Sequence, residues 1–140
     1  KRGCLMKNLI NVSAAFLIKD KKVLVVQKNE KSAHPLKWEF PGGKLIGDEK
    51  FDEALIREMK EELGVKVKAV QELGSIEYDS ENDVTIIMFI IAESDAVDIK
   101  LFVHKDYKFC SYDELKSLDM LIPDKMFVEQ YEEEIKKFIS

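Results

Sequence analysis

Cysteine is scarce. The chain of 140 residues carries two, Cys4 and Cys110, far apart and in no metal-type pair. That argues against a disulfide framework and for a reducing cytoplasm. There is no excess of positive charge: 22 Lys and Arg face 27 Asp and Glu, a net charge of -5. A nucleic-acid-binding surface usually shows a basic stripe, so that class is disfavoured. A nucleotide substrate is still compatible, because a metal ion can invert the local sign of the field. No apolar run is long enough to span a membrane; the longest lie near Phe16 and Ile86. The segment Asn8 to Ile18 is interrupted by Asn11 and Ser13 and leads into Lys19-Asp20-Lys21-Lys22, which does not fit a signal peptide. Repeats, low-complexity tracts and linkers are also missing, so residues 1–140 are expected to form a single domain. Met6 is a candidate native start, with the first five residues then foreign to the natural chain.

What is present suits a soluble globular chain: 46% of residues are apolar, enough for a core, and 35% are charged. Residues 9–19 and 23–28 are rich in Val, Ile, Leu and Phe and flank a polar turn, which predicts a β-hairpin. After a polar stretch from Asn29 to Lys37, Trp38-Glu39-Phe40 reads as extended. Pro41-Gly42-Gly43 is expected to break regular structure. Residues 50–63 lack Gly and Pro and predict a helix stopped by Gly64. Residues 65–79 and 83–93 are strand-like around Ser80-Glu81-Asn82, and 98–110 add one or two strands. Ser111 to Glu114 has the spacing of a capping box, and Pro123 precedes a final helix to about Ile139. Strands interleaved with a few helices imply an α/β fold with a mixed sheet flanked by helices.

The helix over 50–63 carries an anomaly. At about 100° per residue, Phe51, Ala54, Leu55 and Met59 form a stripe that requires a core. Glu58 and Glu62 fall beside Phe51 and Leu55 rather than opposite them, with Glu61 at the edge of the same arc. A run of charges on a helix usually means a solvated face, and that is the plain reading. Two facts oppose it. Like charges at i, i+4 repel by a few tenths of a kcal/mol, and these lie where desolvation penalises the charged form. Arg57 could serve one carboxylate but not three, whereas a hard divalent cation satisfies clustered carboxylates directly, Mg2+ with substrate phosphates being the common case. Gly42 and Gly43 would let backbone approach such a ligand closely, although an ordinary turn also uses a glycine pair.

These residues resemble a known family. Gly43, Glu49, Arg57-Glu58-Met59, Glu61-Glu62 and Gly64-Val65 reproduce the Nudix box, with every fixed position filled. Trp38-Glu39-Phe40-Pro41-Gly42-Gly43-Lys44 is similar to the MutT-like branch, and a weaker similarity includes His104 to Leu115 and Leu121 to Asp124. The resemblance implies the Nudix fold, an α/β/α sandwich around a mixed β-sheet. It also implies a pyrophosphohydrolase that uses Mg2+, with Mn2+ as a substitute, on nucleoside diphosphate derivatives. In the MutT-like branch the products would be a nucleoside monophosphate and pyrophosphate. Carried over by position, Glu58, Glu61, Glu62 and the Gly42 carbonyl would be metal ligands, one glutamate also serving as base. Arg57 would orient a box glutamate, and Glu49 would support the site. The implied partner is a small nucleotide, with no nucleic acid or membrane, on a monomer or homodimer.

Outside the box the candidates each have a plainer reading. Asp106 could add a metal ligand or be a solvated loop residue. Lys28 and His34 stand at spacings that resemble phosphate contacts, or are surface side chains. Glu39 could face the nucleoside pocket, and Trp38 could stack on a base or be structural. Phe89, with Met88, belongs to the strand core or lines the base pocket. Asp124 resembles the residue that hydrogen-bonds the base edge, or it caps the final helix. MutT enzymes acting on oxidised guanine usually carry Asn there, while Asp is common in branches acting on other nucleotides. An oxidised purine or a pyrimidine triphosphate is therefore the expected substrate. ADP-ribose and dinucleoside polyphosphates are alternatives, the first disfavoured by the lack of proline between Pro41 and Pro123. A nucleotide-binding domain without turnover is a further alternative, disfavoured because no box glutamate is lost.

Overall fold

A computed structural model describes residues 6–95 and 97–140; Cys4 and the rest of the first five residues lie outside them. The chain runs β1 (Asn8–Lys19), β2 (Lys22–Gln27), β3 (Trp38–Glu39), β4 (Gly42–Lys44), α1 (Phe51–Leu63), β5 (Lys68–Asp79), β6 (Asp83–Glu93), β7 (Asp106–Cys110), α2 (Tyr112–Ser117), α3 (Ile122–Gln130) and α4 (Glu132–Ile135). Among these no helix is long and apolar enough to cross a membrane.

The expected hairpin of β1 and β2 closes on two residues, Asp20 and Lys21, both in the left-handed region (φ 52° and 61°). Such a turn matches the twist of the flanking strands. β1 is the hub of the sheet. It pairs in parallel with β6 over residues 8–17 and antiparallel with β2 and β4. β5 extends the sheet beyond β6, and β2 in turn carries β3 and β7.

Strand alternation divides the interior into two layers. Ala15 and Leu17 of β1, Leu24 and Val26 of β2, and Ile90 of β6 meet Leu55, Met59 and Leu63 of α1 on one face. Ala14, Phe16, Val23, Val25 and Phe89 meet Tyr112, Leu115, Phe127, Val128 and Ile135 on the other. Each large apolar side chain buried this way contributes about 1.5–3 kcal/mol. The result is the α/β/α sandwich around a mixed sheet implied by the sequence.

Three local expectations are corrected, and a fourth is met in a shorter form. Pro41-Gly42-Gly43 does not end regular structure: Gly42–Lys44 forms β4 on β1. A Cβ on Gly42 would stand 2.0 Å from the Ser13 carbonyl oxygen, so the absent side chain is what admits the pairing. The strand expected from residue 65 begins at Lys68, because Gly64 (φ 66°) and Val65 close α1 through N–H donation to Lys60 and Met59 carbonyls. Residues 98–110 add one strand, Asp106–Cys110, within the one or two expected. The backbone N–H groups of Lys100 and Phe102 instead donate to Leu63 and Glu62, satisfying carbonyls that a helix end leaves open. The final helix starts one residue before Pro123 and breaks at Tyr131 (φ -109°, ψ 29°) into α3 and α4.

The break has a cause. Tyr131 lays its ring on Gly74 at an irregularity in β5, and its hydroxyl donates to the Ser75 carbonyl and accepts from the Ser75 N–H. A Cβ on Gly74 would lie 2.3 Å from that ring. Gly74→Ala is therefore expected to destabilise the protein by about 1–3 kcal/mol. This would be read as a lower urea midpoint at constant m; an unchanged midpoint would show that the ring yields freely.

Candidate active site

The site is assembled where β4 runs under α1. Bonds from Ala15 N–H to Pro41 and from Leu45 N–H to Asn11 bracket β4. Antiparallel pairs alternate between bonded and non-bonded, so Gly42, opposite Ala14, turns its N–H and carbonyl away from β1. The Gly42 backbone hydrogen-bonds Glu62 of α1. Gly43 faces the same helix: a Cβ there would stand 2.6–2.8 Å from the carboxylate atoms of Glu58. The two glycines thus bring backbone and carboxylates to one point. Ser13, fully buried beneath them, donates its hydroxyl to the Phe51 carbonyl and ties β1 to the start of α1.

Arg57 organises the carboxylates. Its Nε and Nη2 bind Glu49 Oε2 and Oε1 at 2.7 and 3.0 Å, a two-point fork. Nη1 donates to Glu58 at 2.7 Å and to Glu61 at 3.0 Å, and Nη2 also reaches the Lys44 carbonyl at 3.0 Å. The Glu49 carboxyl is held below its usual range by Arg57 and by the Ile46 N–H, while Arg57 is raised. The guanidinium therefore serves more than the single carboxylate expected of it. Planar geometry with five donors allows this.

Glu62 is the carboxylate it does not reach. Its side chain is 13% exposed, and its Oε1 is buried without a hydrogen-bond partner. Burial, a hydrogen bond shared with Glu58 and the charges of Glu58 and Glu39 push its carboxyl far above the ordinary range. That state suits a carboxylate waiting for a cation, since a nearby positive charge would favour the ionised form. Among the described residues no three His, Cys, Asp or Glu side chains already converge as a complete cage. Mg2+ is ordinarily held by one or two carboxylates with waters and substrate phosphates, not by an all-protein cage. Orphaned Glu62 Oε1, adjacent Glu58 and the outward carbonyl of Gly42 fit that mode. Glu61, 59% exposed and bonded to Arg57, stands at the rim.

The outlying candidates divide. Lys28 and Glu39 do join the cluster, with Lys28 Nζ 3.3 Å from Glu39 Oε2. His104, missed among the candidates, joins them. Its Nε2 lies 3.1 Å from Glu39 Oε2 and 3.9 Å from Glu62 Oε1. A cavity of about 370 Å³ lined by Lys28, Asn29, Lys31, Ser32, Val103 and His104 opens beside it. Asp106 is exposed, its carboxylate accepting from the Tyr107 N–H; the residue this part of the chain sends to Glu62 is His104 instead. His34 is exposed on its loop and is not gathered in. Phe89 has no accessible surface and stacks on Phe127 at 3.8 Å, so its pocket-lining role is replaced by a core role. Trp38 is half-buried beneath the Lys108 ammonium and clamps the turn before α3 through Asp119 and Leu121. Asp124 is buried in the first turn of α3 and accepts from the Phe40 N–H at 2.9 Å, while the N-cap position falls to Leu121, whose side chain makes no cap bond.

This geometry accompanies a match to the NUDIX domain over residues 7–131. The chain belongs to the Nudix family. Within it the chain is MutT-like. It is 33% identical over 89 residues to the 8-oxo-dGTP diphosphatase of Proteus vulgaris, covering 62% of this chain and 80% of that one. It is 39% identical over 67 residues to the CTP pyrophosphohydrolase of Escherichia coli strain K12, covering 48% of this chain and about half of the relative's length (50%). The crystal structure of a MutT protein from Methanosarcina mazei Go1 superposes with a TM-score of 0.84 at 25% identity, covering 94% of this chain and 99% of that one. The Nudix box accounts for Gly43, Glu49 and the α1 glutamates but not for His104. No local pattern marks it, since the apolar run before it, Leu101-Phe102-Val103, is exposed rather than core.

Asp124 supplies a test of the buried geometry. Burial first, and the charge of Glu39 second, push its carboxyl up to about 8, against the Phe40 N–H and Lys28, which favour the ionised form. The unfolded chain ionises near 3.9. A raised folded value means stability that is full below about pH 4 and is lost as pH climbs towards 8. Asp124→Asn retains an oxygen for Phe40 and removes the titration. Relative to the parent, its melting temperature should therefore rise steadily from pH 4 to 8. Parallel curves for the two proteins would remove the buried acid from the account.

Proposed function

We propose that this Nudix hydrolase cleaves a pyrophosphate bond of a nucleoside triphosphate, an oxidised purine or a pyrimidine one, to the monophosphate and pyrophosphate. The observation that carries the proposal is Glu62 Oε1, buried and unpartnered beside Glu58 and Gly42 within a complete box. The names of the two relatives, an 8-oxo-dGTP diphosphatase and a CTP pyrophosphohydrolase, support the substrate class. Buried, free Cys110 suits a reducing cytoplasm.

Glu62, Glu58 and the Gly42 carbonyl are the groups that would hold Mg2+ or Mn2+, with Glu61 at the rim. Such an ion, when bound, offsets phosphate charge and activates water. The chain contributes placement and electrostatics, as is general for phosphoryl transfer. Arg57 and Glu49 lock α1 to the loop before it, so the glutamates stay aimed at β4 without reorganising. One glutamate of the set takes the proton of the attacking water. Lys28 and Lys31 line the adjoining cavity with positive charge for a phosphate chain. Asp124, at the start of α3, addresses the base.

Incubation with Mg2+ and oxidised dGTP, dCTP, CTP or ADP-ribose should yield a monophosphate and pyrophosphate from at least one triphosphate. Glu61→Gln and Glu62→Gln should each lower kcat by about 10²–10³-fold with the circular dichroism spectrum unchanged. If no nucleotide is turned over, the enzymatic reading fails; wild-type rates in both variants would mean that the cation site lies elsewhere. Asp124→Ala should reorder kcat/KM among bases more than it lowers all of them, and a uniform loss would leave Asp124 as a structural acid only.

A further inference from the structure

We propose that His104 is a positioning residue of the active site, holding Glu39 apart from Glu62 so that Glu62 Oε1 stays free for a cation. The inference rests on the cation-site reading above and adds a residue that the box does not contain.

The segment that carries the ring is tied down at both ends. Lys100 and Phe102 donate backbone N–H groups to Leu63 and Glu62 at the end of α1, the Asn29 side chain donates to the Val103 carbonyl, and the Lys105 N–H donates to Gln27. The segment is thus anchored at α1 on one side and at β2 on the other. Its imidazole is delivered between two carboxylates, 5% exposed. A carboxylate only accepts, so the 3.1 Å contact with Glu39 requires the proton on Nε2. The same nitrogen faces Glu62 Oε1 at 3.9 Å. Lys28 Nζ lies 3.3 Å from the same Glu39 oxygen. The two donors share one Glu39 oxygen, beside a second acidic side chain that Glu39 would otherwise repel.

Nδ1 is the second observation. It is buried and has no partner. Buried polar atoms are nearly always satisfied, and each exception requires a reason. A leucine would fill the space without that penalty, so packing does not account for a histidine here. The use of Nε2 does.

The test is Mn2+ binding by the intact chain, followed by the electron paramagnetic resonance signal of free Mn2+. His104→Leu and His104→Gln fill similar volumes, so a packing defect affects both; melting curves without metal show that each is folded. His104→Leu should weaken Mn2+ about tenfold. His104→Gln, which keeps an N–H at the same reach, should stay within about threefold of the parent. In a Glu39→Gln background, His104→Leu should add less than about twofold, because the two act as one unit. Unchanged affinity in the Leu variant, equal losses in Leu and Gln, or independent losses with Glu39 would each overturn the positioning role alone. A parent protein that does not bind Mn2+ would overturn the cation site and this role together.

Discussion

The guanidinium of Arg57 commits all five of its N–H groups: two to Glu49, one each to Glu58 and Glu61, and one to the Lys44 carbonyl. These bonds join the loop after β4 to the middle of α1, and the rest of the site depends on that joint. It fixes the roll of the helix, which sets Glu58 against Gly43 and Glu62 against Gly42. It also divides the acidic residues into those with a protein cation and one without. Lysine at position 57 would supply the charge but not the fork. The incomplete neutralisation is thus a property of one side chain's reach, and it concentrates the unmet demand for positive charge on Glu62.

A second chain of contacts links Asp124 to Gly42. Asp124 holds the Phe40 N–H, the Pro41 carbonyl holds Ala15, and Gly42 follows with its polar groups turned to Glu62. Three consecutive residues therefore connect the acid proposed to address the base with the glycine proposed to address the cation. Phe40 itself is wedged among Phe16, Phe89 and Phe127, which leaves this segment little freedom to shift at one end only.

What the sequence disclosed was what local periodicity can carry. The apolar stripe of α1, the glycine that ends it and the crowding of Glu58, Glu61 and Glu62 are relations between residues a few positions apart, and all three are met in the fold. The capping box of Ser111 and Glu114 is of the same kind. The misreadings concern residues whose partners are distant. Gly42 and Gly43 looked like a break because glycine disfavours strands in isolation, whereas the proximity of β1 rewards them. Residues 98–105, ahead of the expected strand, close the end of α1 through backbone bonds that no local pattern announces. His104 was overlooked because its meaning comes from Glu39 and Glu62, 65 and 42 positions away. For Phe89 the sequence leaves core and pocket both open, and only the stack with Phe127 decides for the core.

The division of β1 between two cores has an evolutionary corollary. Ala14 and Phe16 belong to one layer, Ala15 and Leu17 to the other, and the same strand carries Ser13 beneath the glycines. Inserting or deleting one residue in β1 would exchange the layers and move every pairing with β4 and β6 by one step. Diversification by length is thereby channelled away from this strand and into the polar loop between β2 and β3, whose residues belong to neither core. A change of length there leaves untouched the frame that holds Glu58 and Glu62 against β4.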